Sequence, residues 1–252
     1  MRHFLIAVQF MTALPIPRDF QATSEDMGKC MAYFPLVGLL LGGLLVALHH
    51  VLLPLFPGST VDLVCILGLI GLTRGFHLDG LADTADAFLS HRDRERMLAI
   101  MKDSRIGTMG VLALMAVLAL KFQLLTVLPP PVKPVALVSV PMAARWGIVL
   151  QAAFLPYARP EGGLGKAFVE HVGLRETLVA SVLAIGIALA LWCTQGVLVL
   201  LCCGMFSLLF AWYIQGRIGG CTGDTLGAGV ELGEVAALLS TYVVSTYVSG
   251  LN

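Results

Sequence analysis

Seven stretches of this chain are candidates to cross a lipid bilayer, at about residues 34–56, 61–76, 106–128, 132–155, 177–193, 196–215 and 230–250, the second of them short. A bilayer core needs about 20 apolar residues of helix, and backbone polar groups in lipid must find partners within a helix or a closed barrel. The reading is an all-α integral membrane protein: one polytopic domain over residues 1–252, a bundle of about seven transmembrane helices. Composition agrees, with 58% hydrophobic and only 13% charged residues, where a soluble domain carries about 25% charged. The same figures exclude a disordered chain. The apolar run after Met1-Arg2-His3 lacks a small-x-small cleavage site and reads as an interfacial or buried helix rather than a signal peptide. Six cysteines form no C-x-x-C pair and read as small buried hydrophobes.

The connections are unequal. Residues 54–62, 129–133 and 194–196 are short and nearly free of charge, whereas 18–29, 74–105, 157–176 and 216–229 hold almost everything polar. Arg92, Arg94, Arg96, Lys102 and Arg105 fall in one connection, Arg159, Lys166 and Arg175 in another, Arg217 in a third, and only Lys133 on the opposite side. The positive-inside rule then places these loops and the N-terminus, with Arg2, Arg18 and Lys29, in the cytoplasm and the C-terminus outside. Sixteen basic residues balance sixteen acidic ones. Zero net charge argues against a nucleic-acid partner, which normally needs a basic excess. It also conceals a strong sidedness: every acid except Asp62 falls on the crowded face. The positive-inside rule explains the bases there but places no demand on the acids.

The richest segment is His77-Leu78-Asp79-Gly80-Leu81-Ala82-Asp83-Thr84-Ala85-Asp86. Asp79, Asp83 and Asp86 are spaced i, i+4, i+7, which puts three carboxylates on one helix face. Like charges so placed repel, and a cation is needed to offset them. Oxygen ligands suit Mg²⁺ or Mn²⁺ rather than zinc, and magnesium completes its shell with water and substrate phosphates. Gly80, Ala82 and Ala85 between the acids leave room for a bulky phosphorylated ligand. The alternative is a solvated, charged helix end. His77 is read either as a ligand or as a structural hydrogen-bonding residue.

Lys102-Asp103-Ser104-Arg105-Ile106-Gly107 precedes the third apolar run and offers an anion site at a helix start, or ordinary anchoring of the helix. Asp103 caps that helix or joins the metal set. Gly219-Gly220-Cys221-Thr222-Gly223-Asp224-Thr225-Leu226-Gly227-Ala228 reads as a glycine-rich turn whose N–H groups approach phosphate. Asp224 is a further candidate ligand, and it shares a face with Glu231 if the last helix starts early. Glu161-Gly162-Gly163-Leu164-Gly165-Lys166 is a substrate lid or a simple connection. Arg145, mid-depth in the fourth run, must face a cavity or a partner such as Glu234. Lys121 sits nearer the far end of its run and is expected to snorkel.

The segments from Gly75 to Asp86, Lys102 to Gly107 and Thr222 to Ala228, with Leu14-Pro15-Ile16-Pro17-Arg18 and Phe34-Pro35-Leu36-Val37-Gly38, resemble the cobalamin synthase family, the adenosylcobinamide-GDP ribazoletransferases. The resemblance implies a multi-pass protein of the bacterial cytoplasmic (inner) membrane that uses Mg²⁺. The reaction it implies joins α-ribazole, or its 5′-phosphate, to the cobinamide-side phosphate of adenosylcobinamide-GDP. GMP leaves, and the product is adenosylcobalamin or its 5′-phosphate. Displacement at a diphosphate needs its charge neutralised and its nucleophile positioned. On that reading Asp79, Asp83, Asp86 and Asp224 form the metal set, and Asp83 or Asp86 takes the proton of the attacking hydroxyl. Lys102 and Arg105 neutralise phosphate and Thr222 and Gly223 cradle it, with His77, Asp103, Ser104, Arg145 and Glu231 in further contact with substrate. The acid cluster is also similar, less specifically, to CDP-alcohol phosphotransferases, although the Arg of their motif is absent after Ala82. Such an enzyme or a prenyl-type transferase is the alternative. A transporter fits less well, because no repeat is evident and the acids gather at one mouth. A small helical bundle is compatible with a homodimer.

Overall fold

A computed structural model describes residues 1–16, 20–163 and 165–248. Arg18 of the opening motif, Leu164 of the glycine loop and the end of the last apolar run lie outside the described residues. The elements are α1 (Arg2–Met11), α2 (Ser24–Cys30), α3 (Phe34–Leu52), α4 (Gly58–Thr73), α5 (Phe76–Phe88), α6 (Arg94–Ile100), α7 (Thr108–Val127), α8 (Lys133–Phe154), α9 (Lys166–His171), α10 (Leu174–Ile218) and α11 (Gly223–Val243). Among the described residues no strand forms, and the one extended contact is a bridge between Tyr157 and Cys221. Five helical segments are long and apolar enough to cross a membrane, six if α4 and α5 count as one bent span.

Helix α8 is the axis of the bundle. It is buried on nearly every side, its few polar side chains included. Helix α3 reaches it through Gly38 and Gly42, where a Cβ would lie 2.5 Å from the Cα atoms of Met142 and Val138 respectively. In lipid, where no hydrophobic drive joins helices, small residues spaced by four are what permit such close packing.

Two chain reversals shape the bundle. Arg74 and Gly75 both adopt left-handed backbone angles (φ 56° and 66°), and the Gly75 N–H closes on the Ile70 carbonyl at 2.9 Å. This cap ends α4 and turns α5 away from it by 90°. The second lies within α10, whose 45 residues would be ~68 Å long if straight. Trp192 and Cys193 leave the helical region, and a Cβ on Gly196 would lie 2.3 Å from the carbonyl oxygen of Ala188. Residues eight apart meet only if the chain folds back. Trp146 confirms the hairpin: it donates to Ser181 at 3.0 Å and also packs against Gly204, at equal chain distance on either side of the break. The arms 174–191 and 194–218 match the two apolar runs expected at 177–193 and 196–215.

The last helix departs from the sequence expectation. The turn is confined to residues 219–222, and the helix expected from 230 already begins at Gly223. Gly227 and Gly229 serve helix packing, while Gly223 lines the cleft at the helix start. A Cβ on Gly229 would lie 2.3 Å from the Gln151 side chain, and Gly227 faces the backbone of His77 at 3.4 Å.

Candidate active site

The site forms where α5 crosses the first turns of α11. A Cβ on Gly80 would stand 2.7 Å from the Asp224 carbonyl oxygen, so only glycine allows this approach. The crossing brings Asp79 and Asp83 beside Asp224. Thr222 caps α11 by accepting from the Thr225 N–H at 3.2 Å, which leaves Asp224 in the first turn at the positive end of the helix.

Arg159 completes this corner. Its guanidinium donates to Asp224 Oδ2 at 2.6 Å. The short bridge holds it there: the Cys221 N–H donates to the Pro156 carbonyl and the Ala158 N–H to the Cys221 carbonyl, both at 2.8 Å. Arg94 locks the same strip by donating to the carbonyls of Ile218 (2.7 Å) and Ala158 (2.9 Å). In the sequence Arg159 and Arg94 registered only as positive-inside charge. The signal that could have separated them is their placement beside Pro156-Tyr157 and at the head of α6.

A cleft of about 170 Å³ opens here, lined on its polar side by Asp79, Tyr157, Arg159 and Asp224. Partial burial raises the Tyr157 phenol above its usual value. Asp83, half-buried, lies within electrostatic range of Asp79, Asp224, Asp86 and Arg159. Arg159 faces several carboxylates, so the corner is strongly negative. Among the described residues no three Asp, Glu, His or Cys side chains converge closely enough to hold an ion alone. Magnesium does not require this, since one or two carboxylates suffice when water and substrate phosphates complete the shell. The all-oxygen donor set and its uncompensated charge therefore fit Mg²⁺.

Other expected site residues lie elsewhere. Asp86 spends both oxygens on the N-terminus of α7, accepting the Gly107 N–H at 2.7 Å and the Gly110 N–H at 2.8 Å. It is a helix cap here. Arg145 and Glu231 do not line the cleft; they join a buried ion-pair network. Lys121 donates to Glu231 at 2.6 Å and to Glu234 at 2.5 Å, while Arg145 pairs with Glu234. Lys121 thus turns inward instead of snorkelling, because two buried carboxylates supply the partner that lipid cannot. Glu231 and Glu234 sit within the bundle, not at its mouth, because α11 starts early. His77 joins the two regions: it borders the cleft, and its Nδ1 lies 3.5 Å from Arg145.

The α6–α7 loop is exposed. Lys102 pairs with Glu161 across to the loop after α8, and Arg105 holds Asp103 at 2.6 Å, keeping that carboxyl down at about 2. Ser104 is exposed between them. Asp86 anchors this loop to the end of α5, but none of the four lines the cleft.

The cobalamin-5-phosphate synthase family matches residues 3–242. The chain belongs to that family. Curated relatives named adenosylcobinamide-GDP ribazoletransferase agree. The Acetivibrio thermocellus protein is 39% identical over 96% of this chain and 98% of its own. That of Clostridium acetobutylicum is 35% identical over 96% of each chain. The Desulfitobacterium hafniense protein is 40% identical over 96% of this chain and 97% of its own. No solved structure matches the chain. Membership in the cobalamin-5-phosphate synthase family accords with the all-helical, membrane-type bundle.

Proposed function

We propose that this chain is an adenosylcobinamide-GDP ribazoletransferase. It transfers the cobinamide-phosphate moiety to α-ribazole or its 5′-phosphate and releases GMP. The observation that carries the reading is the carboxylate corner at the Gly80–Asp224 crossing, set beside Arg159 in a chain that matches the family over nearly its whole length. Asp79, Asp83 and Asp224 are the side chains that would hold Mg²⁺, with Asp86 fixing the end of α5 rather than ligating. When bound, the ion neutralises charge on the diphosphate as GMP departs. Arg159 orients Asp224 and offers its remaining N–H groups to a phosphate oxygen. Asp83 accepts the proton of the attacking hydroxyl, the step for which Asp86 is already occupied by two N–H donors.

The bundle is read as seven crossings in the inner membrane, with α4, α7, α8, the two arms of α10, α3 and α11 as the spans. The site loops and N-terminus face the cytoplasm, as the basic asymmetry supports. GMP release from adenosylcobinamide-GDP and α-ribazole in detergent, with and without Mg²⁺, tests the reading. Metal-dependent release is expected. Turnover with CDP-diacylglycerol and a polar alcohol, and none with the cobinamide donor, overturns it.

A further inference from the structure

The cleft has two unlike ends. Its polar end is the carboxylate corner. Its other end is built of carbon by four separate elements: Phe10 from α1, Phe34 from α3, Phe76 at the head of α5 and Phe168 from α9. The rings form a chain. Phe76 meets Phe10 edge-on at 5.5 Å between centroids, Phe10 meets Phe168 at 4.6 Å, and Phe168 meets Phe34 at 5.9 Å. Met31 adds an adaptable thioether to the wall. Phe34 and Phe168 are only 2% and 3% exposed, so they are fixed by packing before anything binds. Aromatic walls of this kind hold flat rings by stacking and edge contacts. The four phenylalanine rings and Met31 themselves offer no hydrogen-bonding match to the amide and amino edge of a guanine, whose burial without partners is unfavourable; the polar groups of the cleft nearest them are His77, whose ring meets Phe76 edge-on at 5.5 Å, and Tyr157.

We infer that this aromatic chamber is the acceptor subsite: it holds the flat, weakly polar base of the acceptor nucleoside and points its ribose at Asp79, Asp224 and Arg159. This assignment rests on the transferase reading, and it leaves the guanine nucleotide to the polar rim. The juxtaposition explains why α1 and α9, which carry no charged site residue, pack against the mouth of the cleft at all.

The test is equilibrium binding of benzimidazole riboside to the detergent-solubilised full chain, beside the steady-state kinetics. Phe168→Leu keeps an apolar side chain and removes the ring. It is expected to weaken riboside binding and raise the acceptor KM about tenfold, with the KM for adenosylcobinamide-GDP unmoved and excess GMP failing to displace the riboside. Phe10→Leu, on the other side of the same ring contact, should act in the same direction and serves if Phe168→Leu does not fold. Displacement of the riboside by GMP, unchanged affinity in both variants, or a rise confined to the cobinamide donor overturns the subsite. Saturable, ring-dependent riboside binding without any GMP release supports the subsite and sinks the transferase reading alone.

Discussion

Asp83 and Asp86 lie one turn apart on α5, yet their surroundings assign them different tasks. Asp86 accepts two N–H groups that α7 would otherwise leave without partners. Asp86→Ala should therefore lower stability by about 1–3 kcal/mol, read as a lower Tm in detergent, while Asp86→Asn keeps one acceptor and most of the stability. Asp83 has no such structural duty. Asp83→Asn should keep the wild-type Tm and lower GMP release at least about 100-fold; near-normal turnover would refute its role. The buried network makes a separate prediction. Lys121, Arg145, Glu231 and Glu234 sum to zero charge when all are ionised. Lys121→Met leaves a buried carboxylate uncompensated and should cost about 3–5 kcal/mol. Adding Glu231→Gln restores neutrality, so the double variant should melt above the single one; a further additive drop would show that the pairs act independently.

At the scale of elements, the decisive contact is α5 against α11. Gly80→Ala forces a Cβ to within 2.7 Å of backbone, whereas the same change at Gly227 meets ordinary contacts of 3.4 Å and beyond. Gly80→Ala should thus lower GMP release far more than Gly227→Ala, and equal losses would remove the crossing as the cause. This contact also marks how far the sequence could be read. The apolar runs and the acidic face of α5 are local patterns, and hydrophobic length and i, i+4, i+7 spacing report them directly, whereas the bend at Arg74 and Gly75 interrupts a run that the sequence reads as continuous over 61–76. The start of α11 is not local. Its glycines lower helix propensity and imitate a turn, and the segment is held helical by the Thr222 cap together with packing that leaves no room for a side chain at Gly229. For the same reason the sequence leaves Lys121 and Arg159 without named partners; Arg145 differs, because a charge at mid-depth in an apolar run demands a partner, and Glu234, which the sequence offers it, is the one it takes. Each partner lies at least 65 residues away in sequence, and spacing rules carry no information over that range.

For the whole molecule, one face carries the chemistry and the other is closed. Asp62 and Lys133, the acid and base that the sequence places opposite the charged loops, pair with each other at 2.5 Å, with the Asp62 side chain fully buried. The reversal of α10 supplies a ruler across the bundle. The arm from 194 to 218 ends at Gly219, beside the strip that holds Arg159, and 25 helical residues span ~37 Å, slightly more than the ~30 Å hydrocarbon core. Cys193 therefore stands about one membrane thickness from the carboxylate corner, and it is exposed. If the site faces the cytoplasm, Cys193 faces outward. In a variant keeping only Cys193 of the six cysteines, a membrane-impermeant maleimide should label intact spheroplasts. In a cysteine-free background, Ser104→Cys in the exposed α6–α7 loop should react only after permeabilisation. The reverse pattern would invert the orientation while leaving the fold intact. Labelling of both from one side would mean that α10 does not span the bilayer as a hairpin, and the seven-crossing arrangement would fail with it.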